Sequence, residues 1–180
     1  MSSRRALARR LAAVEGFASP DAALEQYPTP AELAAHLVHL ADIQGDLAGQ
    51  VVVDLGTGTG VLALGAALRT PERVLGVERD PAALIVAKRN ARILTPPVVP
   101  DWIVGDATRP PLCLAGATVL MNPPFGAQTG HEHADRAFLE SAAAIARVSY
   151  SVHNAGSRDF VEAFVADRGA TLTHAFASEI

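Results

Sequence analysis

The chain has 180 residues, 49% of them hydrophobic and 19% charged, with a mean hydropathy of +0.21. That composition suits one compact domain with its own core and excludes disordered, collagen-like and disulfide-framework chains. Cys113 is the single cysteine, so no intrachain disulfide and no cysteine-based zinc site can form, and a reducing compartment, the cytosol, is expected. The net charge of −4 excludes a whole-molecule positive field, so any polyanion must meet a local patch or a partner. No run approaches the ~18 apolar residues that span a bilayer. Arg4, Arg5, Arg9 and Arg10 near the start are not followed by a secretory apolar region. Lys88 is the only lysine among 15 basic residues, which together with abundant alanine suggests a GC-rich genome.

In chain order, Ser3 to Val14 reads as a helix, with Leu7, Leu11 and Val14 on one stripe and the arginines off it. Those arginines are either phosphate contacts or a solvated face. Two prolines exclude regular helix from Glu25 to Pro30, and a second helix runs from Pro30 to Ala41. His36 and His39 are expected on its surface. The rhythm then changes. Val51 to Val53 is a continuous apolar run, as in a strand buried on both faces, ending at Asp54. A glycine loop leads into a helix over Val61 to Leu68. Arg73 to Glu78 is the second strand. Asp80 caps a helix that has Pro81 at its first position and ends near Ile93. Further strands are expected at Trp102 to Val104, Thr118 to Met121, Val148 to Val152 and Thr171 to Phe176. The intervening helices span Asp135 to Ala146 and Ser157 to Arg168.

This alternation predicts a doubly wound, mostly parallel, Rossmann-like α/β sheet behind an N-terminal helical extension. Residues 1–48 form the extension and 49–180 the core of a single domain. Such sheets bind ligands at the carboxyl ends of their strands. Asp54, Glu78, Asp106 and Asn122 all fall there.

The loop Asp54-Leu55-Gly56-Thr57-Gly58-Thr59-Gly60 lets a ligand approach bare backbone, and Glu78 follows Gly56 by 22 residues, where a carboxylate can accept from a ribose diol. Dinucleotide-binding folds share these features. Two details favour S-adenosylmethionine over NAD. The loop lacks the third glycine of the dinucleotide pattern. Asp54 also sits where it could hold a methionine amine, whereas it would repel pyrophosphate. Asp106 can accept from an adenine amine and the Ala107 N–H can donate to a ring nitrogen.

Asn122-Pro123-Pro124-Phe125 follows the fourth strand. An adenine N6 amine is a poor nucleophile because its lone pair is conjugated into the ring. Acceptors at the Asn122 side chain and the Pro123 carbonyl can favour its pyramidal form and stabilise the charge that develops. The prolines stiffen the turn, and Phe125 offers a stacking face for a flipped base. His131 and His133, in the following loop, read as a segment over the target nucleotide more readily than as metal ligands, since no third ligand is near. The Ile93 to Trp102 stretch, with Val98 and Val99 among Pro96, Pro97 and Pro100, is apolar enough to suggest either a partner covering an edge strand or a loop tucked on its own core.

These motifs in this order resemble class I methyltransferases of planar exocyclic or amide nitrogens. Gln26-Tyr27-Pro28-Thr29-Pro30, the Ala137-Phe138-Leu139 helix and Tyr150-Ser151-Val152-His153 narrow the resemblance to the methyltransferase-like-5 type rRNA adenine-N6 methyltransferases of archaea and eukaryotes. The resemblance implies N6-methylation of one small-subunit rRNA adenosine. It also implies a heterodimer with a small zinc-containing Trm-type methyltransferase activator on the edge strand. It implies cofactor contacts from Gln26, Tyr27, Thr29, Asp54, Gly56, Gly58, Thr59, Gly60, Val61, Glu78, Asp106 and Ala107, the first three forming a lid. Asn122, Pro123, Pro124 and Phe125 form the reacting set. Threonines replace the loop cysteines of eukaryotic members, and Glu78 stands where aspartate is common. The chain reaches Ile180 within the expected sixth strand, so the family's antiparallel seventh strand is expected to be missing. Relatives that modify protein glutamine or DNA adenine, and a non-catalytic scaffold, are the competing readings.

Overall fold

A computed structural model describes residues 3–21, 26–124 and 134–177. Five strands, β1 (Val51–Leu55), β2 (Arg73–Glu78), β3 (Asp101–Val104), β4 (Ala117–Met121) and β5 (Ala146–Ser151), form one parallel sheet in the order β3-β2-β1-β4-β5. The helices are α1 (Arg4–Leu11), α2 (Ala31–Ile43), α3 (Val61–Ala67), α4 (Pro81–Leu94), α5 (Ala134–Ile145) and α6 (Arg158–Asp167). The expected edge position of β3 is observed.

Side-chain alternation divides the core in two. Val52, Val74 and Leu120 face one layer with α1, α2, α3 and the end of α4. Val53, Leu55, Val77, Val119 and Met121 face the other with α5 and α6. A parallel strand buried on both faces must be apolar at successive positions, and β1 and β4 are. Asp80 caps α4 as its sequence predicts, accepting from the Ala82 N–H at 2.8 Å.

Several expectations change. Thr171 to Phe176 is not a strand: its residues are exposed and its backbone joins no ladder, so β5 is the far edge among the described residues. Threonine-rich alternation confers β propensity, but a strand exists only through a neighbour to pair with. Here Phe176 instead lies against the His36 ring of α2, with centroids 5.4 Å apart. His36 and His39 are half-buried rather than surface residues, and His39 Nδ1 is buried with no hydrogen-bond partner among the described residues. Arg10 turns its guanidinium to the Leu94 carbonyl at 2.7 Å, capping α4, and Arg4 lies 3.3 Å from His36. The Ile93–Trp102 stretch divides. Leu94, Val98 and Trp102 pack on the protein's own core, while Val99 remains 71% exposed beside the edge, as does Val104 of β3 at 60%. Among the described residues no helix is long and apolar enough to cross a membrane.

Candidate active site

Because all five strands run the same way, their carboxyl ends share one rim, and a cleft of about 280 Å³ opens there. The glycine loop leaves β1 and is tied at once to β2: the Gly56 and Thr57 N–H groups both donate to the Val77 carbonyl at 2.9 Å. Glu78 completes the tie. Its Oε2 accepts from the Gly58 N–H at 2.9 Å and its Oε1 from the Asp80 N–H at 3.0 Å, fixing the loop and the entrance to α4 with one carboxylate. Gly56 and Gly58 have positive φ, and a Cβ on either would stand 2.9 Å from an aromatic ring, that of Phe138 or Phe17 respectively.

Asp54 is fully buried. Its Oδ2 accepts from Thr57 Oγ1 at 2.6 Å and from the Ala63 N–H at 2.9 Å, closing the first turn of α3. Its Oδ1 is buried with no hydrogen-bond partner among the described residues. Burial pushes its pKa up to about 7, against the opposing pull of the Thr57 and Ala63 hydrogen bonds. Such a group invites a cation, which would restore the ionised form. Asp106, more open, accepts from the Thr108 N–H and hydroxyl, both at 2.8 Å, and these bonds hold its carboxyl below the usual range.

Across the cleft, Asn122 donates from Nδ2 to Thr29 Oγ1 at 2.9 Å. Its Oδ1 is buried and has no partner among the described residues. The segment carrying Thr29 is anchored by Gln26, whose Nε2 donates to Asp80 Oδ2 at 2.7 Å and whose Oε1 accepts from the Asp21 N–H at 2.8 Å.

Gln26, Tyr27, Thr29, Asp54, Gly56, Gly58, Thr59, Val61, Glu78, Asp106, Ala107, Asn122 and Pro124 all line the cleft. Gly60 and Pro123 do not. Gly60 serves the backbone instead: its φ is +91°, and a Cβ there would stand 2.7 Å from the Trp102 ring. Phe125, His131 and His133 lie outside the described residues. Among the described residues no three ligating side chains gather as a metal site would require.

Sequence reasoning missed Phe17 and Arg79 and named Thr57 and Phe138 only as parts of motifs, without a site role; all four are on the cleft wall. It also missed Asn90, which is fully buried. This residue accepts from the Glu15 N–H at 2.8 Å and donates to the Glu15 and Thr59 carbonyls, each at 2.9 Å, clamping the N-terminal segment to the glycine loop. The signal was present: Asn90 is the polar position on the otherwise apolar stripe of α4.

A parallel sheet with this loop and acid placement defines a class I, Rossmann-like methyltransferase, a class whose methyl donor is S-adenosylmethionine. The model of the methyltransferase small domain matches residues 34–148, and the chain belongs to that family. It is 35% identical to MJ0284 of Methanocaldococcus jannaschii, an uncharacterized protein, over 98% of this chain and 82% of that one. It is 36% identical to the rRNA N(6)-adenosine-methyltransferase Mettl5 of Drosophila melanogaster, over 92% of this chain and 79% of that one. The crystal structure of PH1948 from Pyrococcus horikoshii, described as a candidate RNA methyltransferase, superposes with a TM-score of 0.86 at 39% identity. That match covers 97% of this chain and 85% of the other.

Proposed function

We propose that the protein transfers a methyl group from S-adenosylmethionine to the N6 amine of an adenosine in small-subunit ribosomal RNA. The observation that carries this reading is the buried, unpartnered Oδ1 of Asn122 at the cleft wall. A buried acceptor without a donor costs free energy, so its persistence at the mouth of a ligand cleft is best understood as preparation for a donor brought by the substrate. An exocyclic amine is such a donor.

The residues fit the donor molecule. Asp54 Oδ1 is a second buried acceptor without a partner among the described residues, suited to an ammonium group and set on the cleft wall beside the glycine loop. Glu78 would take the ribose and Asp106 with Ala107 the adenine ring. Gln26, Tyr27, Thr29, Thr59 and Val61 would complete the enclosure. The bound cofactor supplies a methyl already activated on sulfonium, so the protein need provide neither a metal nor a covalent nucleophile. Asn122 Oδ1 accepts from the target amine, and the Pro123 carbonyl, though Pro123 is not on the cleft wall, would have to turn toward it to serve as the second acceptor. Together they orient the nitrogen and stabilise its developing charge, with Pro124 stiffening the turn and Phe125 stacking on the base.

The reading extends to a cytoplasmic heterodimer of one methyltransferase domain, comprising the extension 1–48 and the core 49–180, with a small zinc-containing activator on the β3 edge. Support comes from Val99 and Val104, apolar and exposed at an edge strand whose outer side meets no further strand among the described residues, where a partner's strand would cover them.

Incubation of the protein, alone and with the activator, with labelled S-adenosylmethionine tests the assignment against separate rRNA, DNA and release-factor substrates. Label is expected in N6-methyladenosine of the small-subunit rRNA. Label only in DNA adenine or in protein glutamine would overturn the substrate; cofactor binding without transfer to any of the three would leave a scaffold.

A further inference from the structure

Asn122 is useful only in one of the two orientations of its amide. With Oδ1 turned to the cleft it accepts an N–H; with Nδ2 turned there it presents hydrogens to an amine that also needs to donate, and capture fails. In either case the side chain must be held where it can reach the target amine. The group that meets it is the Thr29 hydroxyl, on the same cleft wall, which accepts from Nδ2 at 2.9 Å, while Oδ1 has no partner among the described residues.

Thr29 is well placed for that task. It lies between Pro28 and Pro30, so its backbone is confined to extended geometry on both sides. Pro30 itself begins α2, its carbonyl accepting from the Ala34 N–H at 2.9 Å. Upstream, Gln26 holds the same segment to Asp80 at the head of α4, next to Glu78. The hydroxyl is therefore fixed from both ends before any ligand arrives.

We infer that Thr29 is a positioning residue for Asn122: its hydroxyl holds the catalytic side chain in place at the cleft wall, and so links seating of the 26–30 segment to capture of the target base. This rests on the N6-methyltransferase reading but goes beyond it, since Thr29 otherwise counts only as part of the cofactor's enclosure. Coupling of this kind suits a site whose two substrates must both be in place, because a displaced segment would release the amide and idle the reaction.

The test uses the full chain, with its activator if wild-type transfer requires it, and compares wild type with T29V, T29S and N122A. Single-turnover methylation of an rRNA fragment is followed at saturating cofactor, S-adenosylmethionine affinity is measured by calorimetry, and the Asn122 side-chain amide is followed by 15N NMR, assigned by its loss in N122A. T29V, nearly isosteric, is expected to slow transfer roughly tenfold, the scale of one lost hydrogen bond. The loss should persist at saturating cofactor, its Asn122 amide signals should shift, and T29S should restore both rate and signals. A T29V rate within threefold of wild type overturns the inference. So does a loss recovered by more cofactor, which would leave Thr29 a cofactor contact and nothing more, and so does a loss that T29S fails to rescue. Failure of the N6 reading itself looks different: N122A would then transfer methyl as well as wild type, while the NMR comparison of T29V would still report whether Thr29 sets the amide.

Discussion

The two walls of the cleft are built on opposite plans. On the wall made by β1, β2 and the glycine loop, the protein answers most of its own polar groups. Glu78 takes two backbone N–H groups, Oδ2 of Asp54 takes a hydroxyl and an N–H, and Asp106 takes two donors from Thr108. On the wall made by the end of β4, Asn122 is held by one hydroxyl and its oxygen has no partner among the described residues. The first wall is a scaffold that stands without ligand, with Asp54 Oδ1 the buried acceptor it leaves open among the described residues. The second is completed only by what it binds. A cofactor site gains from preorganisation because it must be refilled on every turnover. A reacting site gains from an acceptor that is satisfied only when charge develops in front of it.

The largest effect that separates these plans belongs to Asn122. N122A should lower single-turnover methylation by about 10²–10³, the range for removing one positioned group that meets developing charge. Cofactor affinity should move less than about threefold, because nothing on the opposite wall leans on the amide. Parallel rate and calorimetric measurements check this, and equal losses in both would dissolve the contrast between the walls. Glu78 should behave in the reverse manner. E78A removes a carboxylate that two backbone donors rely on, each such bond being worth roughly 1.5–3 kcal/mol when charged. We expect cofactor affinity to fall by about 30–100-fold and the melting temperature to drop by several degrees. Methylation at saturating cofactor should be largely preserved, and a saturation series in cofactor reads the difference.

How much of this was legible in sequence follows the same division. The scaffold wall announces itself because its chemistry is written in local signals: apolar runs for strands, glycines where φ must be positive, an acid at each strand end. Asp54, Glu78, Asp106 and Asn122 could be placed on one rim from alternation alone, since a parallel sheet gathers its carboxyl ends. What stayed hidden depends on contacts distant in the chain. Thr29 meets Asn122 across 93 residues and Asn90 meets Glu15 across 75. No periodicity specifies such pairs. Phe17 and Phe138 escaped for a related reason: each acts by standing over a glycine, which is visible only when the missing Cβ is built in space. Thr171 to Phe176 failed in the other direction. Its local β preference was real, but pairing, which makes a strand, is not a local property.

Asp54 gives an effect of intermediate size, and it probes the one place where the scaffold wall is incomplete. Its pKa of about 7 in the folded protein lies above the 3.8 of an exposed aspartate. The folded state therefore holds a proton that the unfolded chain has lost, and this group's contribution to stability declines as pH rises from about 4 to about 7. A cationic ligand reverses the preference by favouring the carboxylate. Affinity for S-adenosylmethionine should accordingly rise about tenfold between pH 6 and pH 8, with proton release on binding near pH 6.5, and D54N should bind more weakly with a flat profile. Calorimetry in buffers of different ionisation enthalpy measures the release directly. A wild-type profile as flat as that of D54N would mean that Asp54 only closes the first turn of α3.

The smallest effect lies at the hinge between the two walls. Gln26 ties the segment that carries Thr29 to Asp80, and Asp80 in turn donates its N–H to Glu78. Q26A removes two part-buried hydrogen bonds, one of them to the Asp80 carboxylate, so the cost should be about 1 kcal/mol or somewhat more. Because the tie joins both walls, that cost should be shared: cofactor affinity and saturated transfer rate should each fall about two- to threefold, with little change in melting temperature. Hydrogen exchange should quicken in residues 26–30 and stay unchanged in β1 and β2. A loss confined to cofactor affinity would assign Gln26 to the scaffold wall alone. A loss confined to transfer would mean that the segment serves only Asn122, and the two walls would then be linked through the ligands rather than through the protein.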